Sequence, residues 1–127
     1  MALVDTDVMV DILRQHPPAI AWLTSLGAEP IQVPGFVAME LIQGCASHKE
    51  QRNVERTLGT HAVVWLSPDD CRDALVVFSR FHLSHNLGLL DALIAQVAIS
   101  IGAPLLTFNT KHYSAVPGLN VVRPYDH

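Results

Sequence analysis

Positive charge is scarce in this chain: 8 Lys and Arg stand against 12 Asp and Glu, for a formal charge of −4. That balance argues against a broadly basic nucleic-acid binder, so any nucleic acid would need a local basic patch and bound metal. Cysteine is nearly absent. Cys45 and Cys71 form neither a metal-type spacing nor a disulfide framework, and they read as reduced thiols of a cytoplasmic protein. Aromatics make up only 6% while 50% of residues are apolar, which predicts an aliphatic core and disfavours disorder. Asp5, Asp7 and Asp11 crowd the opening, which therefore does not read as a signal peptide. The longest stretch free of charged residues, Ala92 to Thr110, is split by Gly102-Ala103-Pro104, so it does not read as a membrane span. At 127 residues the chain fits a single domain, 1–127, with its own core.

What is present is an alternation of strands and helices. Met1 to Asp5 reads as a buried strand and Thr6 to Arg14 as a helix with Val8 and Ile12 inward. Pro17-Pro18 restarts a helix that Gly27 stops, and Ile31 to Val33 is a second strand. Pro34 opens the helix carrying Glu40, Gly44 closes it, and a polar helix runs from about Ser47 to Leu58. His61 to Leu66 is a third strand. Ser67-Pro68-Asp69-Asp70 starts a helix that reaches about Phe81, His82 to Gly88 is a loop, and Leu89 to Ile101 is a buried helix. Leu105 to Phe108 and Leu119 to Val122 supply a fourth strand and an edge strand. This order predicts an α/β fold, a mainly parallel sheet of four to five strands between helices on both faces.

Three carboxylates stand where carboxylates are costly. Asp5 closes an apolar strand, Glu40 interrupts Phe36-Val37-Ala38-Met39 and Leu41-Ile42, and Asp91 sits between Leu89-Leu90 and Ala92-Leu93-Ile94-Ala95. A buried carboxylate must be paired or coordinate a metal, and gathered carboxylates are relieved by protons or a hard divalent cation. Asp5 falls at the carboxyl end of its strand, where open α/β sheets bind ligands, and Asn109 follows the fourth strand on the same rim. Each acid also has a plainer reading: Asp5 or Asp7 could cap the first helix, and Asp91 could complement a helix dipole. Glu40 is harder to explain away, because its helical neighbours give it no polar face. Asp69, Asp70 and Asp73 are accounted for by capping and a solvated face. Lys49, Arg52 and Arg56 make one stripe at i, i+3 and i+7 that could touch phosphates or simply be solvated. His82 and His85 are taken as loop residues.

With these residues in view, four segments resemble the PIN-domain ribonucleases of the VapC toxin type. They are Leu3-Val4-Asp5-Thr6-Asp7, Glu40-Leu41-Ile42-Gln43-Gly44, Gly88-Leu89-Leu90-Asp91-Ala92 and Leu106-Thr107-Phe108-Asn109-Thr110-Lys111-His112-Tyr113. The resemblance implies a three-layer α/β/α fold with an acidic cluster for Mg²⁺ or Mn²⁺. It makes Asp5, Glu40 and Asp91 the metal ligands and puts Asn109 where a fourth Asp is frequent. Thr6, Asp7 and Thr107 are placed beside the cluster, Asp7 standing where Asn or Ser is more usual. Lys49, Arg52, Arg56 and Lys111 become possible RNA contacts. The implied activity is endoribonucleolytic: hydrolysis of RNA phosphodiester bonds by a metal-activated water, in a homodimeric toxin neutralised by a VapB-like antitoxin.

Three other readings compete. Val4-Asp5-Thr6-Asp7-Val8 also resembles the start of haloacid-dehalogenase-type phosphatases, but only Asp126 follows Lys111 where an acidic pair is wanted. A phospho-receiver domain needs an Asp at the end of the third strand, and Val64-Trp65-Leu66-Ser67 has none. A non-catalytic PIN-like binding module, in which the acidic rim survives without cleavage, fits Asn109 and the low charge.

Overall fold

The apolar run Ala2–Val4 forms β1, and the acid that ends it turns the chain into α1 (Thr6–Leu13). The computed structural model describes residues 2–127; Met1, assigned above to the first strand, lies outside the described residues. α2 (Pro17–Ser25) begins on two prolines, and Gly27 ends its turn at φ 61°, a left-handed conformation that glycine adopts without a Cβ clash. β2 (Ile31–Pro34) leads directly into α3 (Gly35–Gln43), which carries Glu40. A Cβ on Gly35 would lie 2.4 Å from the Trp65 ring, so only glycine lets that indole close over the start of α3. α4 (His48–Leu58) is the polar helix, capped by Ser47 through a bond from the Glu50 N–H at 3.2 Å. β3 (Ala62–Val64), α5 (Pro68–His85), α6 (Leu89–Ile101), β4 (Leu105–Leu106), α7 (Thr110–Tyr113) and β5 (Val121–Val122) complete the chain.

All four strand pairings are parallel, and the order across the sheet is β3-β2-β1-β4-β5. Parallel strands are buried on both faces. Accordingly Leu3, Val4, Val33 and Leu105 are completely buried, packed with Val8, Met9, Val37, Ile94 and Val97 from the covering helices. The sequence-derived α/β/α layering is the architecture observed. From β1 the chain first builds outward through β2 to β3, then returns to place β4 on the other side of β1. The reversal leaves a crevice beyond the carboxyl ends of β1 and β4, where such sheets hold ligands.

Two expectations need correction. α5 runs to His85, so His82 and His85 are helical and not loop residues. Apolar periodicity fades after Phe81, but aromatic pairs one turn apart carry the helix on: Phe78 stacks on His82 at 5.1 Å and Phe81 meets His85 edge-on at 5.6 Å. Asn86 then ends it at φ 53°, a conformation that Asn tolerates better than most residues. The last three strands are also shorter than expected, and the residues after β4 turn into α7, too short to show a period in sequence.

Candidate active site

Asp5 is the hub of the crevice. It is the N-cap of α1, its Oδ1 accepting from the Thr6 N–H at 2.8 Å, as the capping reading expects. Its Oδ2 accepts from the Thr107 hydroxyl at 2.9 Å and the Tyr113 hydroxyl at 2.8 Å. At 4% exposure this carboxylate is nearly out of water, and burial pushes it from its ordinary 3.8 up to about 6. The negative charge of Asp7 adds to that rise, while the bonds from Thr6, Tyr113 and Thr107 oppose it. A carboxylate held ionised here by three donors is a group that positive charge would relieve.

Thr107 ties two acids and a loop together. Besides Asp5, its hydroxyl lies 3.3 Å from Asp7 Oδ2, and it accepts from the Asn109 N–H at 3.1 Å. Asp7 Oδ2 accepts from the Phe108 N–H at 2.8 Å, which fastens the segment after β4 to the first turn of α1. Glu40 is half-buried and reaches this rim through the Thr6 hydroxyl, which donates to its Oε1 at 2.9 Å. Residues 34 positions apart are thereby joined beside Asp5.

Asp91 stands in the first turn of α6, its Oδ2 accepting from the Gly88 N–H at 3.2 Å and lying 3.8 Å from His112 Nδ1. Its charge, with those of Asp5 and Asp7, adds to burial in raising the Tyr113 phenol above its ordinary value, so Tyr113 sits among all three acids. Asn109 is exposed at the N-terminus of α7, and Lys111 is exposed two residues on. Lys49, Arg52 and Arg56 are exposed together along one hollow on α4, with Glu50 and Asn53. Those last two also line a second hollow, which runs between α1, α3 and α4 to Thr6 and Glu40.

The oxygen-only donors Asp5, Glu40 and Asp91 suit a hard cation such as Mg²⁺ or Mn²⁺. Among the described residues, however, the three donors gathered within 4.8 Å of one another belong to Asp11, His16 and His127, not to these acids. Thr6 bridges two of the rim acids, its N–H donating to Asp5 and its hydroxyl to Glu40. A spacing of that kind fits an ion that keeps part of its water shell. Tyr113, the Phe108 N–H and His112 are contributors that sequence reasoning missed. All three lie in or beside α7, a single turn that no periodicity reveals.

A parallel sheet with a carboxylate-lined crevice at its switch point defines an α/β protein whose chemistry lies at the strand ends. The PIN domain family model matches residues 2–118. The chain is 34% identical to Ribonuclease VapC19 of Mycobacterium tuberculosis over 94% of its own length and 97% of that protein's. It is 35% identical to Ribonuclease VapC10 of the same organism, over 89% of this chain and 86% of that one. It also superposes on a toxin–antitoxin complex from Klebsiella pneumoniae (TM-score 0.77, 26% identity, all of both chains). VapBC2 from Rickettsia felis, solved bound to a promoter DNA fragment, matches in fold with a TM-score of 0.80 at 22% identity and 98% coverage of both chains. The chain belongs to the PIN domain family.

Proposed function

We propose that this protein is a divalent-metal-dependent endoribonuclease and the toxin of a toxin–antitoxin pair. The observation that carries the reading is the Asp5 hub: a buried carboxylate held by Thr6, Thr107 and Tyr113, with Glu40 and Asp91 on the same rim. Full-length similarity to two proteins named ribonucleases supports it.

Asp5, Glu40 and Asp91 would hold a Mg²⁺ or Mn²⁺ ion, which would supply positive charge at the phosphoryl oxygens and lower the pKa of a water. Thr107 and Tyr113 fix the Asp5 carboxylate, and Thr6 fixes Glu40. Asn109 orients water or ligands at the mouth. It leaves the rim one negative charge short of a fourth acid, and Asp7, beside Thr107, makes up part of that charge. Lys111 and the α4 stripe Lys49, Arg52 and Arg56 guide the RNA backbone, local positive charge on a chain that is acidic overall.

The hollow between α1, α3 and α4 supports the antitoxin assignment. Val10, Leu13, Leu41 and Val54 give it an apolar floor, and Glu40 and Glu50 offer charge to a basic side chain. Leu75, Val76 and Leu83 on α5 are 63%, 56% and 87% exposed, an apolar face that a second copy would cover in a homodimer. No helix among the described residues is long and apolar enough to cross a membrane. The test is RNA cleavage by purified protein with Mg²⁺ or Mn²⁺, with chelator, and after Asp91→Asn. Cleavage that needs the metal and is lost in the variant supports the reading. Metal uptake without cleavage would favour the binding module instead.

A further inference from the structure

The corner between α1 and α2 holds a second donor set, of different chemistry from the acidic rim. Asp11, His16 and His127 each bring a ligand atom within 4.8 Å of the others. His127 Nε2 lies 2.8 Å from Asp11 Oδ2, and the Tyr125 hydroxyl donates to that same oxygen at 2.7 Å. The two imidazoles meet edge-on at 5.5 Å. His16 Nε2 is buried with no hydrogen-bond partner, which leaves a polar atom paying its desolvation cost unrelieved.

Helix capping does not account for the side chain of His16. It stands at the N-cap of α2, yet its side chain caps nothing, and Ser, Thr, Asp or Asn would serve that position better. The N–H of Gln15 before it, at φ 56°, donates to the Ile12 carbonyl at 3.0 Å, and the His16 N–H donates to the Asp11 carbonyl at 2.9 Å, so α1 ends in a common left-handed turn that sets His16 beside Asp11.

We propose that Asp11, His16 and His127 bind a borderline transition-metal ion of the Zn²⁺ class, clipping the segment that follows β5 onto the end of α1. Two imidazoles and one carboxylate are the mixed donors that such ions prefer, whereas Mg²⁺ and Ca²⁺ favour oxygen alone. A tetrahedral ion about 2.0–2.1 Å from each donor holds neighbouring donors about 3.3 Å apart, so small side-chain rotations close the set. Two neighbours already do what outer partners of a metal ligand do. Tyr125 holds the Asp11 carboxylate, and Phe108 stacks on the His127 ring at 4.3 Å. Phe108 is also the residue whose N–H holds Asp7, one turn before Asp11 on α1. The clip therefore braces the back of the acidic rim without sharing a ligand with it.

The test uses full-length protein in excess Mg²⁺, which occupies oxygen-only sites. Co²⁺ is added as a spectroscopic probe, then Zn²⁺ as competitor, with thermal unfolding followed in parallel. Wild type and Asp5→Asn are expected to show the same Co²⁺ visible bands, bleached by Zn²⁺, and a Zn²⁺-dependent rise in Tm. His16→Ala and His127→Ala are each expected to weaken binding at least about 10-fold and to remove that rise, because a metal that binds only the folded state stabilises it. Retention of the bands in either His variant, their loss in Asp5→Asn, or no Co²⁺ uptake by wild type would overturn the assignment.

Discussion

Asp5→Asn should make the metal-free protein more stable at neutral pH while abolishing activity. A native value of about 6 against an ordinary 3.8 means that ionised Asp5 costs the fold about 3 kcal/mol at pH 7.5. Asn carries no charge and keeps one oxygen to accept from Thr107 and Tyr113, but its amide faces the Thr6 N–H and forfeits a helix cap worth roughly 1 kcal/mol. The net expectation is a gain of about 2 kcal/mol at pH 7.5. The sign matters below that. A raised native pKa means that folded Asp5 takes up its proton first, so the penalty on wild type shrinks as pH falls from about 6 toward 3.8. Below about pH 3, where that penalty has vanished, the variant should be the less stable protein, by the lost cap alone. Urea unfolding in chelator at several pH values reads both limbs, and a chain of this size shifts by a few degrees per kcal/mol in a thermal assay. A destabilised variant at pH 7.5, or a difference that does not change with pH, would refute the burial argument.

Three further outcomes follow from the same geometry. Tyr113→Phe removes one donor to Asp5 Oδ2 and should cost about 1.5–3 kcal/mol in urea unfolding, with cleavage slowed about 10-fold or more. Gly88→Ala puts a Cβ 2.7 Å from Asp91 Oδ2, at a φ of −77° that any residue adopts; it should displace that carboxylate and weaken metal affinity while Tm changes little. Asn109→Asp restores a negative charge at the mouth of the crevice and should tighten Mn²⁺ binding severalfold by calorimetry, with unfolding almost unchanged because the residue is exposed.

The fold was legible where local signals agreed with global packing. The buried strand Ala2–Val4, the proline-opened α2 and the Ser67-capped α5 each announce themselves in sequence, and their alternation prescribes the parallel sheet. Asp5, Glu40 and Asp91 stood out because acids are costly in apolar runs. The connections among them were not legible. Thr6 reaching Glu40, and Thr107 and Tyr113 reaching Asp5, span 34, 102 and 108 positions, and only the strand order brings those segments together. The end of α5 was misjudged because aromatic stacking, not apolar periodicity, sustains its last turn. The Asp11, His16 and His127 set had no local signature either, since its third member comes from the segment after β5.

Anomalous diffraction from crystals soaked in Mn²⁺ tests the central claim most directly. The account predicts a peak within coordination distance of carboxylate oxygens of Asp5 and Asp91, with Glu40 bound to it directly or through water. A peak elsewhere with this rim empty, or undiminished Mn²⁺ density here in Asp5→Asn crystals, would contradict it.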